Sequence, residues 1–159
     1  MQWADVIADA TLRDLPYKIE LDRWGNIVMS PASNWHGRLQ FAVGGLLEKL
    51  GQGQVMMECS VETSQGVKVA DVAWCSDDFL AAHGYETPYT AAPEICVEVR
   101  SPSNSRGEID EKIRLYLEAG AQEVWIVFED GRVCYFDRDG EKTASWWEVD
   151  CAALLELKH

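Results

Sequence analysis

The sequence predicts an α/β fold, a central mixed β-sheet with helices packed on it, and three observations carry that expectation. Val55 to Val61, Val67 to Trp74 and Glu94 to Val99 are short, β-branched apolar runs bounded by turn residues, as strands are. Leu39, Val43, Leu46, Leu47 and Leu50, and later Ile109, Ile113, Tyr116 and Leu117, recur at three- and four-residue steps, as the buried stripe of a helix does. The two kinds of segment are interleaved along 159 residues, enough for sheet faces and helix stripes to bury one another in a single domain spanning 1–159.

Each element follows from local signals. A short helix is expected from Trp3 to about Asp9, then a hairpin in which Tyr17 to Leu21 turns at Trp24-Gly25-Asn26 into Ile27-Val28-Met29, flanking the main sheet. Ser30-Pro31 ends that strand, and Ser33 or Asn34 caps the first long helix, which Gly51-Gln52-Gly53 stops. The strands Val55 to Val61 and Val67 to Trp74 form an antiparallel pair around Glu62 to Gly66. Ser76 to Pro93 shows no steady period and reads as a loop with one helical turn near Phe79 to Ala82. The strand Glu94 to Val99 ends at Ser101-Pro102, and Ser103 or Ser105 starts a helix that runs to Gly120. Glu123 to Phe128 and Arg132 to Phe136 form a hairpin around the Asp130-Gly131 turn. A strand near Trp146 to Val149 and a short helix from Asp150 to Leu157 close the chain.

Composition narrows the function classes. Five cysteines without a C-x-x-C pair indicate neither a disulfide framework nor a zinc site, and suit a reducing cytoplasm. The first residues carry Asp5, Asp9 and Asp14 and lack the basic start and apolar run of a signal peptide; no stretch is apolar for long enough to span a membrane. The formal net charge of -13 argues against unspecific DNA binding, which draws its affinity from Lys and Arg neutralising phosphates. Lys68, Arg100, Arg106, Lys112 and Arg114 nevertheless fall in or near the segments singled out below, so a local positive patch on an acidic body is compatible with the charge.

Strand alternation places Asp71 on one side with Val67, Val69 and Ala73, and Glu98 on one side with Cys96. A carboxylate in so apolar a setting has to be paired, protonated or bound to a metal. Two of them point to a hard cation such as Mg²⁺ or Mn²⁺, which takes one or two protein carboxylates and keeps room for water and phosphate oxygens. The competing reading leaves each acid at a strand end, solvated or salt-bridged. Lys112 lies in the apolar stripe of its helix, where an ammonium either snorkels to solvent or turns on the strand ends bearing Asp71 and Glu98. His36 has no second histidine at ligand spacing, Tyr116 shares the Lys112 stripe, Gln40 is a second-tier candidate, and neither Glu20 nor Glu58 is preferred as a further carboxylate.

The segments YKIELDRWGNIVMSPAS, WHGRLQFAVGGLLEKL, VKVADVAWCS, APEICVEVRSPSNS and EIDEKIRLYLEAGAQEVWIVFEDGRVCYF, in that order, carry an extended resemblance. Together they cover about Tyr17 to Phe136, and over that span the chain resembles the Uma2 family of restriction endonucleases within the PD-(D/E)xK superfamily. The resemblance implies a restriction-endonuclease-like core that cleaves DNA by metal-activated water, with Asp71 and Glu98 as catalytic metal ligands, Lys112 as the catalytic lysine and Mg²⁺ or Mn²⁺ as cofactor. The superfamily's usual place for that lysine, two residues after the acid, holds Arg100; Lys112 matches a lysine moved to the following helix, which leaves the Arg100 fork for substrate phosphate. A homodimer would let such an enzyme address both strands of a duplex. Trp146-Trp147 fits base stacking, core packing or a dimer contact. Two other functions stay open: a non-catalytic dimeric binding or regulatory module on the same fold, and a hydrolase of another phosphate ester.

Overall fold

The computed structural model describes residues 1–102 and 104–158. Helix α1 (Trp3–Ala8) and a 3₁₀ turn (Ala10–Leu12) precede a hairpin of β1 (Tyr17–Leu21) and β2 (Ile27–Pro31), which forms a two-stranded sheet of its own. Asp22 makes this turn: its carboxylate accepts from the backbone N–H groups of Trp24 and Asn26 at 3.0 and 2.8 Å. The strand continues through Ser30-Pro31 rather than ending there, which is open to proline because β2 pairs on one side only.

Helix α2 (Asn34–Glu48) starts at Ser33, whose hydroxyl accepts from the N–H of His36. Strands β3 (Gly53–Thr63) and β4 (Gly66–Ser76) run longer than expected and meet in a tight turn over Ser64-Gln65. The segment expected to be mostly loop begins with a full helix, α3 (Asp77–His83). Ser76 caps it, Asp77 and Asp78 sit at its positive end, and it is too short to show an apolar period. Strand β5 (Ile95–Val99), helix α4 (Arg106–Glu118) and strand β6 (Glu123–Val127) follow, with Ser105 as the cap of α4; Ser103 lies outside the described residues. Strands β7 (Val133–Asp137) and β8 (Gly140–Lys142) complete a six-stranded sheet in the order β3-β4-β5-β6-β7-β8. Within this sheet β5 and β6 pair in parallel, as expected for strands joined through a crossover helix, and its other neighbouring strands pair antiparallel.

The strand expected near Trp146 to Val149 is not formed. The buried Glu123 carboxylate takes the Ser145 hydroxyl and the Trp146 N–H, both at 2.7 Å, and Glu148 adopts φ +57°. These bonds hold the segment as a turn, and the edge position goes to β8, which the apolar pattern did not reveal. A second 3₁₀ turn, Ala152–Glu156, ends the described chain.

The sheet buries both faces. Leu39, Val43 and Leu47 of α2 pack on Val72, Trp74, Ile95, Val97 and Trp125. Ile109, Ile113 and Tyr116 of α4 pack on Ala73, Cys75, Cys96, Val124 and Ile126. Full burial of each large aliphatic chain contributes about 1.5–3 kcal/mol. A third cluster of Trp3, Val6, Leu21, Val67 and Val69 docks α1 and the hairpin on the start of β4. Asp71 therefore sits between the hairpin cluster and the α4 cluster on one sheet face. The cysteines are all free thiols; Cys59, Cys75 and Cys96 are buried, and burial pushes the Cys75 thiol up to about 12, as suits a packing group.

Candidate active site

The site begins where a strand pair comes apart. The β4–β5 ladder has the rungs Trp74↔Ile95, Ala73↔Cys96 and Val72↔Val97, and then it stops. Asp71 and Glu98 occupy the next position on each strand, so two carboxylates face each other across the opening. Past that point the backbone groups of both strands need other partners. The N–H of Val99 donates to Asp71 Oδ2 at 2.7 Å, and the N–H of Val69 donates to Glu20 Oε2 at 2.8 Å. On the other edge of β4 the rung opposite Asp71 is also missing, because Glu58 of β3 takes φ +50°. Gln40, from the buried face of α2, closes that gap by donating to the Asp71 carbonyl at 2.8 Å and to Glu58 Oε1 at 2.7 Å.

Alternation along β1 turns Lys18 and Glu20 to one side, toward β4. The Lys18 ammonium lies between the opposed acids, 3.2 Å from Asp71 Oδ1 and 2.9 Å from Glu98 Oε2. From α4, Lys112 Nζ reaches Glu20 Oε2 at 2.7 Å and Glu98 Oε1 at 3.3 Å, and the Tyr116 hydroxyl donates to that same Glu98 oxygen at 2.7 Å. His36, in the first turn of α2, places Nε2 3.3 Å from Asp71 Oδ2. Its Nδ1 is buried and has no hydrogen-bond partner among the described residues.

Asp71 and Glu98 are 1% and 4% exposed, so desolvation is the largest influence on both. It pushes Asp71 up, but the Lys18 charge and the His36 hydrogen bond outweigh it and hold that carboxyl well below the usual range. For Glu98 desolvation wins: its carboxyl is raised, with Lys112 and Lys18 opposing and the charges of Asp71 and Glu20 adding. Burial likewise opposes the ionised form of Glu20, yet Lys112 and Lys18 bring its carboxyl below the usual value. Burial favours neutral Lys18, and the three carboxylates around it reverse that and raise its ammonium well above the ordinary value. The hydrogen bond to Asp71 raises the His36 imidazole against the pull of desolvation. Two opposed acids with unequal proton affinities are an arrangement suited to holding a cation and handling a proton.

The structure brings Asp71, Glu98 and Lys112 together and adds Glu20, His36 and Tyr116 to them. It does not bring Arg100 to the same place. The residues on either side, Val99 and Ser101, line the cavity described next, whereas the Arg100 guanidinium lies over the Phe128 ring at 5.6 Å. Lys18 is the residue that sequence reasoning missed. Its only signal was a shared strand side with Glu20, and the sequence does not say that this side packs on Asp71 and Glu98.

Among the described residues, no three histidine, cysteine or carboxylate side chains form a ready-made metal cage. A divalent cation of the Mg²⁺ type needs less than that, since two carboxylates with waters suffice. Here two hard oxygens, Asp71 Oδ1 and Glu98 Oε2, already converge on one positive group, the Lys18 ammonium, so the donor set fits such an ion. A cavity of about 620 Å³ opens over the centre. Lys18, His36, Asp71, Glu98 and Lys112 line it, together with the apolar Val6, Ile7, Leu12 and Leu15 of the N-terminal segment.

This sheet, with opposed acids at the opening of a central strand pair and a helix lysine turned on them, belongs to the restriction-endonuclease-like class of folds. The chain is a member of the Uma2 family, described as "Putative restriction endonuclease", which it matches over residues 9–152. In fold it is similar to the crystal structure of a putative nuclease belonging to DUF820 from Anabaena variabilis ATCC 29413, with a TM-score of 0.75 over 98% of both chains at 13% sequence identity. At that identity the likeness is one of fold. Among proteins of curated function, none matches the chain.

Proposed function

We propose that this protein is a metal-dependent endonuclease that hydrolyses DNA phosphodiester bonds, with Asp71, Glu98 and Lys112 as its catalytic residues. The observation that carries this reading is the convergence of the Asp71 and Glu98 carboxylates on a single cation seat beside Lys112. Asp71 and Glu98 would hold Mg²⁺ or Mn²⁺, which supplies an activated water and neutralises charge on the phosphate. Lys112 uses two of its three N–H donors on Glu20 and Glu98, which leaves one for an oxygen in the cleft. There it steadies the attacking water or the charge that builds on phosphorus oxygens as the water oxygen attacks, one P–O ester bond breaks and the departing oxygen takes up a proton. Tyr116 and Glu20 act through their partners: the first fixes the Glu98 carboxylate, and the second fixes the Lys112 ammonium. Arg100 keeps its proposed role in gripping phosphate only for a substrate that extends past the cavity to Phe128.

Plasmid nicking with Mg²⁺ or Mn²⁺ tests the reading, with wild type set against Asp71→Ala, Glu98→Ala and Lys112→Ala. Cutting by wild type and a loss of at least about a hundredfold in each variant is the expected pattern. Equal cutting by all four proteins would assign the activity elsewhere. Among the described residues no helix is long and apolar enough to cross a membrane.

One observation favours a second reading, a non-catalytic dimeric binding or regulatory module. The cation seat is filled by a lysine of the chain itself, so the ion-pair network is complete without metal. Trp146, 78% exposed and set edge-on against Trp147, would be the natural contact in a homodimer of either kind. The response to metal separates the two readings.

A further inference from the structure

Lys18 comes from the hairpin, outside the six-stranded sheet, yet its ammonium sits at the one point where Asp71 Oδ1 and Glu98 Oε2 converge, at 3.2 and 2.9 Å. A divalent ion shared by the two carboxylates would have to lie at nearly the same point. An ammonium and a dication so close together repel strongly in a buried setting, so the seat holds one or the other. Lys112 differs in this respect. It carries the same charge but binds Glu20 Oε2 and the far oxygen of Glu98, outside the gap between the acids. Room for a displaced ammonium exists, because Lys18 lines the cavity of about 620 Å³ above the centre and its stem is long and unbranched.

We propose that Lys18 is an internal counter-cation occupying the divalent-metal seat, and that metal enters by exchange, moving the Lys18 ammonium out into the cavity. The inference rests on the metal-site reading above. Its consequence is a graded metal requirement: without metal, Lys18 offsets the repulsion of the opposed acids and keeps the hairpin docked. With metal, the freed ammonium stands in the space where a substrate phosphate arrives. The apparent metal affinity is the intrinsic one reduced by the fraction of molecules whose Lys18 is out of the seat.

Calorimetric titration of the full chain with MnCl₂ tests this in wild type, Lys18→Met, Lys112→Met and Asp71→Asn. Lys18→Met is expected to bind Mn²⁺ about tenfold or more tightly than wild type, Lys112→Met to gain much less, and Asp71→Asn to lose binding. If Lys18→Met gains no more than Lys112→Met while wild type binds, the exchange is overturned and the metal site stands. If no protein binds Mn²⁺, both fall. Should Lys18→Met fail to fold, wild type alone decides by amine-directed acetylation read by mass spectrometry. Labelling of Lys18 is expected to rise about threefold or more when Mn²⁺ saturates the protein, since an ion-paired buried amine is shielded. Unchanged labelling overturns the proposal.

Discussion

His36 shows how one contact ties the α2 start to the centre. Its Nε2 lies 3.3 Å from Asp71 Oδ2, and this bond raises the imidazole in the folded protein. A raised folded value means that the contribution to stability is fully present below the unfolded imidazole value of about 6.5 and is lost as pH rises through the folded one. In the metal-free protein, wild type should therefore exceed His36→Gln in urea-unfolding free energy by more at pH 5.5 than at pH 8.5. A constant gap across that range would mean that the hydrogen bond does not depend on protonation. Tyr116 and Lys112 were legible as members of one helical stripe, but their aim at Glu98 was not. Spacing places a side chain on a face, and only the packed partner shows where its polar end goes.

At the scale of elements, the centre depends on docking of the hairpin, and Gly66 sets how close that docking is. Gly66 has φ +93°, and a Cβ there would lie 2.3 Å from the Leu21 carbonyl oxygen. Gly66→Ala thus meets both backbone strain and a backbone clash, and is expected to cost about 3 kcal/mol or more in urea denaturation. Because Lys18 rides on the same hairpin, a shift there also withdraws its ammonium from between Asp71 and Glu98, so the folded fraction of the variant should bind Mn²⁺ no less tightly than wild type. Retention of wild-type stability would show that the hairpin can shift freely. The elements themselves were largely readable: the stripes and caps of α2 and α4 and the apolar runs of β3, β4 and β5 stand in the sequence. The strand expected near Trp146 was misplaced because a buried carboxylate far away in sequence, Glu123, captures that segment's polar groups.

For the whole molecule, the formal net charge of -13 and the cluster of buried acids act in the same direction. Both resist the approach of a polyanion and favour uptake of cations. Binding of Mg²⁺ or Mn²⁺ to the native state alone should raise the thermal midpoint with metal concentration, by about 2.7 kcal/mol of stability at a hundred times Kd. Asp71→Asn should abolish that rise. A melting curve indifferent to either metal, in wild type and at every concentration, would favour the non-catalytic module. DNA affinity should fall steeply with salt, since it can draw only on local cations in the cleft.

Local chemistry along the chain was enough to determine the mixed-sheet fold with its two packed helices, the apolar setting of Asp71 and Glu98, and the place of Lys112 on a buried stripe. These follow from periodicity and turn residues, which act over a few positions. Tertiary structure alone decided that the β4–β5 ladder opens at these two acids, that Arg100 turns to Phe128, and that Lys18, 53 positions from Asp71 and 80 from Glu98, enters between them. The physical reason is that a buried charge is governed by the charges and hydrogen bonds around it in space, and in this protein those partners come from β1, α2, β4, β5 and α4.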